Sequence, residues 1–163
     1  MTIFIKNKYR LIFEDFSFKC AIGKNGISRN KVEGDKKTPK GWFDIEHLYY
    51  RKDRIKKPIT NLRCIEIKKN MGWCDNPNST SYNKLIKIKN HVKYEKLFRR
   101  DNKYNLIIPI KYNFKKPIKN KGSCIFLHLT NNYKPTAGCI VLKQNDFLIL
   151  LKLINKKSKI KIS

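Results

Sequence analysis

The sequence predicts a mainly β architecture with one or two short helices. Two observations carry this. Short runs rich in β-branched and aromatic residues recur between turn signals, and clear helical spacing occurs only near residues 144–155. A chain of 163 residues is long enough for one domain with a real core, so a single unit over 1–163 is expected.

Taken in order, Tyr9–Phe13 and Phe16–Ile22 read as strands around a Glu14-Asp15 turn. A loop, GKNGISRNKVEGDKKTPKG, runs from Gly23 to Gly41 and holds four of the seven glycines. Trp42–Tyr50 reads as one strand, and Arg51–Tyr82 as irregular, with a turn at Asp75-Asn76-Pro77-Asn78. Val92, Leu97 and Phe98 give a weak apolar face, predicting a short helix over Val92–Arg99. Asn105–Tyr112 has the composition of a buried strand, although Pro109 argues against a central position. Gly122–Leu129 is the clearest strand; alternation puts Cys124, Phe126 and His128 on one face. Cys139–Leu142 continues as another strand after a tight connection at Pro135–Gly138. Phe147, Leu148, Leu150, Leu151 and Ile154 then mark an amphipathic helix over 144–155, and Ile160 and Ile162 alternate with lysine in a last strand.

The net charge is +26. Such a charge attracts polyanions, but the lysines are scattered, and arginine, the better reader of phosphate and guanine, is scarce. Lys, Asn and Ile dominate throughout, as an A/T-rich coding sequence produces, so no specific nucleic-acid partner is expected. The five cysteines form no CxxC pair, which excludes a zinc ribbon or thioredoxin-like motif. Cys64 and Cys74 have a spacing open to a bridge. The opening residues do not resemble a secretory signal, and Phe147–Ile154 is too short to span a bilayer. No export signal or membrane insertion is therefore expected, and location stays unassigned.

One segment concentrates chemistry: HLTNNYKPTAGCIVL, His128–Leu142. A cysteine nucleophile needs a base to take its proton, a group to orient that base, and donors for a developing oxyanion. His128 on a strand, a loop, and Ala137-Gly138-Cys139 at a tight turn meet those needs, with Gly138 open to conformations most residues avoid. A zinc site is the weaker alternative, because Cys124 and His128 on one strand stand roughly 13 Å apart. A buried thiol beside a structural histidine is the plain alternative. His47 and His91 have no evident partner, and Cys20, Cys64, Cys74 and Cys124 read as buried thiols.

GSCIFLHL and KPTAGCIVL together resemble the catalytic signature of the L,D-transpeptidase catalytic domain, the YkuD-like family. Thr136-Ala137-Gly138-Cys139 matches that family's Ser/Thr-x-Gly-Cys motif. EGDKKTPKGWF, Glu33–Phe43, resembles its Thr-Pro-x-Gly-x-Phe segment, and GWCDNPNSTSYN, Gly72–Asn83, a stretch of its compact branch. The resemblance implies a β-sandwich-like domain in which Cys139 is the nucleophile and His128 the base. The Leu129 carbonyl would orient the imidazole, and backbone N–H groups around Gly138 and Cys139 would form the oxyanion hole. Thr38, Pro39 and Gly41 would shape a supporting turn. Trp73, Asp75, Asn76, Tyr82 and Thr136 are candidate substrate contacts. The implied reaction is acyl transfer on peptidoglycan stem peptides through a thioester, with no metal or organic cofactor, in a monomer. Water as acceptor would make it an L,D-carboxypeptidase; a non-catalytic relative binding cell wall or a polyanion is a further alternative. The family chemistry implies the periplasmic or cell-wall side. Two positions depart from the pattern: Ala137 stands where a second histidine is common, and Val141 where an arginine is common.

Overall fold

The computed structural model describes residues 1–7, 9–88 and 93–163. Its elements are β1 (Thr2–Asn7), β2 (Arg10–Phe13), β3 (Phe16–Lys19), β4 (Ile27–Ser28), β5 (Thr38–Pro39), β6 (Gly41–Asp44), β7 (Leu48–Tyr50) and β8 (Cys64–Glu66). They continue with β9 (Met71–Cys74), β10 (Leu85–Lys87), β11 (Tyr94–Lys96), β12 (Leu106–Pro109), β13 (Phe126–Leu129), β14 (Ile140–Leu142), α1 (Gln144–Leu153) and β15 (Lys159–Ile162). Two open five-stranded sheets, ordered β3-β2-β1-β15-β6 and β14-β13-β12-β7-β8, make a β-sandwich; a three-stranded sheet β10-β9-β11 and the pair β4-β5 complete it.

The first sheet forms because its strands alternate. Ile3 and Ile5 on β1, Leu11 and Phe13 on β2, and Ile160 and Ile162 on β15 are buried. β1 lies parallel to β15, Ile3 opposite Ile160. Their inward side chains meet Leu106, Ile108, Leu127 and Leu129 of the second sheet in the larger core. Helix α1 closes that core with Phe147, Leu150 and Leu151, at the spacing the sequence predicts. Asp146 in its first turn and Lys152 in its last both complement the helix dipole. A smaller core gathers around Trp73, Tyr104 and Phe126.

Several expectations are corrected. Thr2–Asn7, read only as a failed signal segment, is a strand. Trp42–Tyr50 is two strands: β6 pairs with β15, Ile45 bridges to Ile110, and β7 then joins the other sheet. The segment 51–82, expected to be irregular, contributes β8 and β9. The helix expected over Val92–Arg99 is not formed: Val92 and His91 lie outside the described residues, and β11 pairs with β9, Glu95 opposite Trp73. Leu97 is buried against the smaller core there, so tertiary packing outweighs a weak helical pattern. One helix is therefore found among the described residues. Pro109 does sit in the central strand β12, but at its last position. Gly122–Leu129 is extended only from Phe126, because Gly122 and Cys124 both take positive φ, 101° and 54°. Cys124 therefore does not share a strand face with Phe126 and His128. All five cysteines are free.

Candidate active site

β13 holds His128 between two neighbouring strands, opposite Ile107 on β12 and Val141 on β14. The imidazole is 6% exposed, and its Nδ1 lies 2.9 Å from the Leu129 carbonyl oxygen. A carbonyl only accepts, so Nδ1 carries the proton and Nε2 keeps its lone pair. Leu129 is itself anchored, its N–H donating to the Lys103 carbonyl at 3.0 Å. Tyr104 sets its ring edge-on to the imidazole, centroids 5.0 Å apart. Burial pushes the His128 pKa down to about 4; the Leu129 carbonyl opposes this, and the charges of Lys103 and Arg99 reinforce it. The imidazole is thus neutral at physiological pH.

Cys139 ends a turn that Thr136 staples from within. The Thr136 hydroxyl donates to the Cys139 carbonyl at 2.6 Å and accepts from the Gly138 N–H at 3.0 Å. Gly138 has φ +144°, and a Cβ there would meet the Lys37 carbonyl at 2.8 Å, so the turn requires glycine. A second threonine holds it from outside. Thr38, fully buried, donates its hydroxyl to the Gly138 carbonyl at 2.8 Å and accepts the Gly23 N–H at 2.9 Å. The Thr-Pro segment therefore supports the site by a direct bond. Ala21–Lys24 also lies along this edge: Thr136 N–H donates to the Ile22 carbonyl, and Val141 N–H to that of Ala21, both at 2.9 Å.

At rest the Cys139 thiol donates to the Cys124 carbonyl at 3.1 Å and accepts the Phe126 N–H at 3.4 Å. The positive φ at Cys124 is what turns that carbonyl toward the sulfur. Burial pushes the thiol up to about 12, against a lowering from the Phe126 N–H; Glu95 raises it further and Lys31 lowers it. The pair therefore rests as thiol and neutral imidazole. With the Gly138 N–H taken by Thr136, the Ala137 and Cys139 N–H groups are the turn donors without a partner among the described residues.

Cys139, His128, Leu129 and Thr136 line one cavity of 470 Å³. Trp73, Asp75, Asn76 and Tyr82 do not. Trp73 is 2% exposed, packs against Phe126 and donates to Asn83 Oδ1 at 2.9 Å. Tyr82 is buried and donates to Glu33, which also accepts from Ser123. Asn76 caps its own turn, accepting the Asn78 N–H at 3.0 Å. Burial raises the Asp75 carboxyl, and its Oδ1 is sealed without a partner among the described residues. The sequence reading missed Glu95, Arg99, Lys103, Tyr104 and Lys134, which complete the cavity wall. No spacing rule picks out these residues, since three of them are cations in a chain full of cations. Val141, in the place of the usual arginine, also lines it, and Arg99, Lys103 and Lys134 supply positive charge around it.

Among the described residues no group of three or more His, Cys, Asp or Glu could hold a metal ion, and no helix is long and apolar enough to cross a membrane. No curated protein and no solved structure matches the chain. Residues 1–162, nearly the whole sequence, match the family model of the L,D-transpeptidase catalytic domain. With that match and the His128–Cys139 cavity in place, the chain belongs to the YkuD family of L,D-transpeptidase catalytic domains, whose activity is on peptidoglycan peptides.

Proposed function

We propose that the protein is a cysteine-dependent L,D-transpeptidase acting on peptidoglycan stem peptides. The observation that carries this is the imidazole fixed by the Leu129 carbonyl in the same cavity as Cys139. When substrate enters, the S–H turns from the Cys124 carbonyl toward His128 Nε2. Nε2 takes the proton as Sγ bonds to the carbonyl carbon of the third stem residue. The tetrahedral oxyanion is met by the Cys139 N–H. Collapse breaks the C–N bond, and the departing D-Ala amine takes the proton from Nε2. An acceptor amine then gives a proton to Nε2 and attacks the thioester carbonyl. The C–S bond breaks, the proton returns to sulfur, and a new amide remains. Arg99, Lys103 and Lys134 suit a donor rich in carboxylates.

Intact-mass spectrometry tests the reading. The protein is incubated with a stem tetrapeptide and, separately, with a carbapenem, whose strained carbonyl acylates a competent nucleophile. One acyl adduct, absent in Cys139→Ala and slowed in His128→Ala, is expected, with release of D-Ala from the peptide. Folded protein that gives no adduct, or an adduct that survives Cys139→Ala, rejects it.

A further inference from the structure

Lys31 is one of many lysines in the chain, yet it is only 3% exposed. A buried ammonium is costly unless paired. Its Nζ donates to Asp35 Oδ1 at 2.7 Å and to the Val32 carbonyl at 3.4 Å. Gly122 makes room for it, and Gly138 lies beside its charged end. A Cβ on Gly122 would lie 2.8 Å from Lys31 Cε, and a Cβ on Gly138 would lie 3.7 Å from Lys31 Nζ. The side chain thus threads past Gly122 and ends its charge against the residue that precedes Cys139.

Asp35 is fixed behind the lysine. It accepts the Val32 N–H at 2.8 Å and the Lys37 N–H at 2.9 Å, and these bonds with Lys31 hold its carboxyl below the usual range against the effect of burial. Lys37 is also the residue whose carbonyl crowds Gly138. The ion pair and the nucleophile turn are therefore one packed unit, with the cation on the turn side. The other charged or titratable groups acting on Cys139 are Glu95, Tyr104 and Cys124; Arg99 and Lys103 act on His128. Glu95 disfavours negative charge on the sulfur, so Lys31 is the cation that opposes it.

We propose that Lys31 is an electrostatic positioning residue: its buried ammonium, placed behind Gly138, stabilises negative charge on Cys139 as the thiol is deprotonated and attacks. This explains a buried lysine that does not line the cavity and that packs tightly over Gly122. It deepens the transpeptidase reading, but its test does not depend on that reading.

The test is the rate of Cys139 alkylation by iodoacetamide against pH, followed by peptide mass spectrometry that separates Cys139 from the four other thiols. Lys31→Met removes the cation. Losing one nearby charge moves a thiol by about one pKa unit, so alkylation below the pKa falls about tenfold and the profile shifts alkaline. Asp35→Asn keeps the cation and removes its counter-charge, so alkylation is expected at the native rate or faster. A merely structural ion pair gives the opposite pattern, both variants loosening the turn alike. The proposal is overturned if Lys31→Met keeps the native profile, or if Asp35→Asn is slowed as much as Lys31→Met. Should Lys31→Met not fold, a slowed Asp35→Asn alone overturns it, and an equal or faster one supports it. Absence of peptide turnover in the native protein would reject the transpeptidase reading while leaving this measurement intact.

Discussion

Thr38→Val exchanges a hydroxyl for a methyl of nearly the same shape at a fully buried position. Two bonds disappear: Thr38 Oγ1 to the Gly138 carbonyl, and the Gly23 N–H to Thr38 Oγ1. The volume is unchanged, so no cavity term enters. The loss is the desolvation of partners left unpaired, about 1–3 kcal/mol for each buried group. Gly23 and Gly138 are both buried, so the N–H of one and the carbonyl of the other each take that cost. The sum is about 2–6 kcal/mol. With a urea dependence of about 2 kcal/mol/M, the unfolding midpoint drops by roughly 1–3 M. Thr38→Ser keeps both bonds and loses one methyl, about 1 kcal/mol. Equilibrium urea unfolding of the three proteins reads this directly. Iodoacetamide labelling of Cys139 reads whether the Gly138 turn has loosened. If Thr38→Val is no less stable than Thr38→Ser and labels Cys139 at the native rate, the hydroxyl does not hold the turn and the reasoning fails.

Three further outcomes are expected. The His128 pKa falls from 6.5 to about 4 on folding, so the unfolded chain binds the extra proton between those values. Stability from this group is complete above pH 6.5, declines as pH falls through the window, and levels below 4. The loss is roughly 3 kcal/mol, visible as a pH slope in urea midpoints that His128→Gln abolishes. A native slope retained in His128→Gln would assign it elsewhere. Lys103→Gln with Lys134→Gln should raise the KM for a stem tetrapeptide about tenfold or more, the scale of a charge-assisted bond, and leave kcat nearly unchanged. Tetrapeptide amidated at its carboxylates should be indifferent, and equal sensitivity of both peptides refutes the role. Tyr104→Phe keeps the edge contact with His128 and should react within a few-fold of native, whereas Tyr104→Ala loses about 3–5 kcal/mol of stability in urea unfolding.

The sequence made the centre of the site legible because covalent neighbours carry it. His128 and the carbonyl of Leu129 are adjacent, and Thr136 to Cys139 form one turn, so local pattern contains the geometry. Helix α1 was legible for the same reason. What failed depends on partners far along the chain. Trp42–Tyr50 looks like one strand, but its two halves belong to different sheets, and nothing within nine residues records the crossing at Ile45. Val92–Arg99 carried a weak helical pattern that pairing with β9 overrides. Trp73 and Tyr82, beside polar turn residues, read as groove lining. Burial decides otherwise, because each polar tip finds an internal partner, Asn83 or Glu33. Lys31 was illegible for a statistical reason: one buried lysine has no mark among so many exposed ones.

The placement of β15 has a consequence for how the molecule is made. It lies between β1 and β6, so the edge of β1 away from β2 finds its strand partner only in residues 159–162. While the ribosome is still working, the first hairpin has a bare inner edge, and β6 has nothing to pair with on that side. Contacts of such long sequence separation are slow to close and expose strand edges meanwhile. Trimming the last four residues would cut the sheet in two rather than fray its border. Two strands made far apart in time thus lock together in the same event.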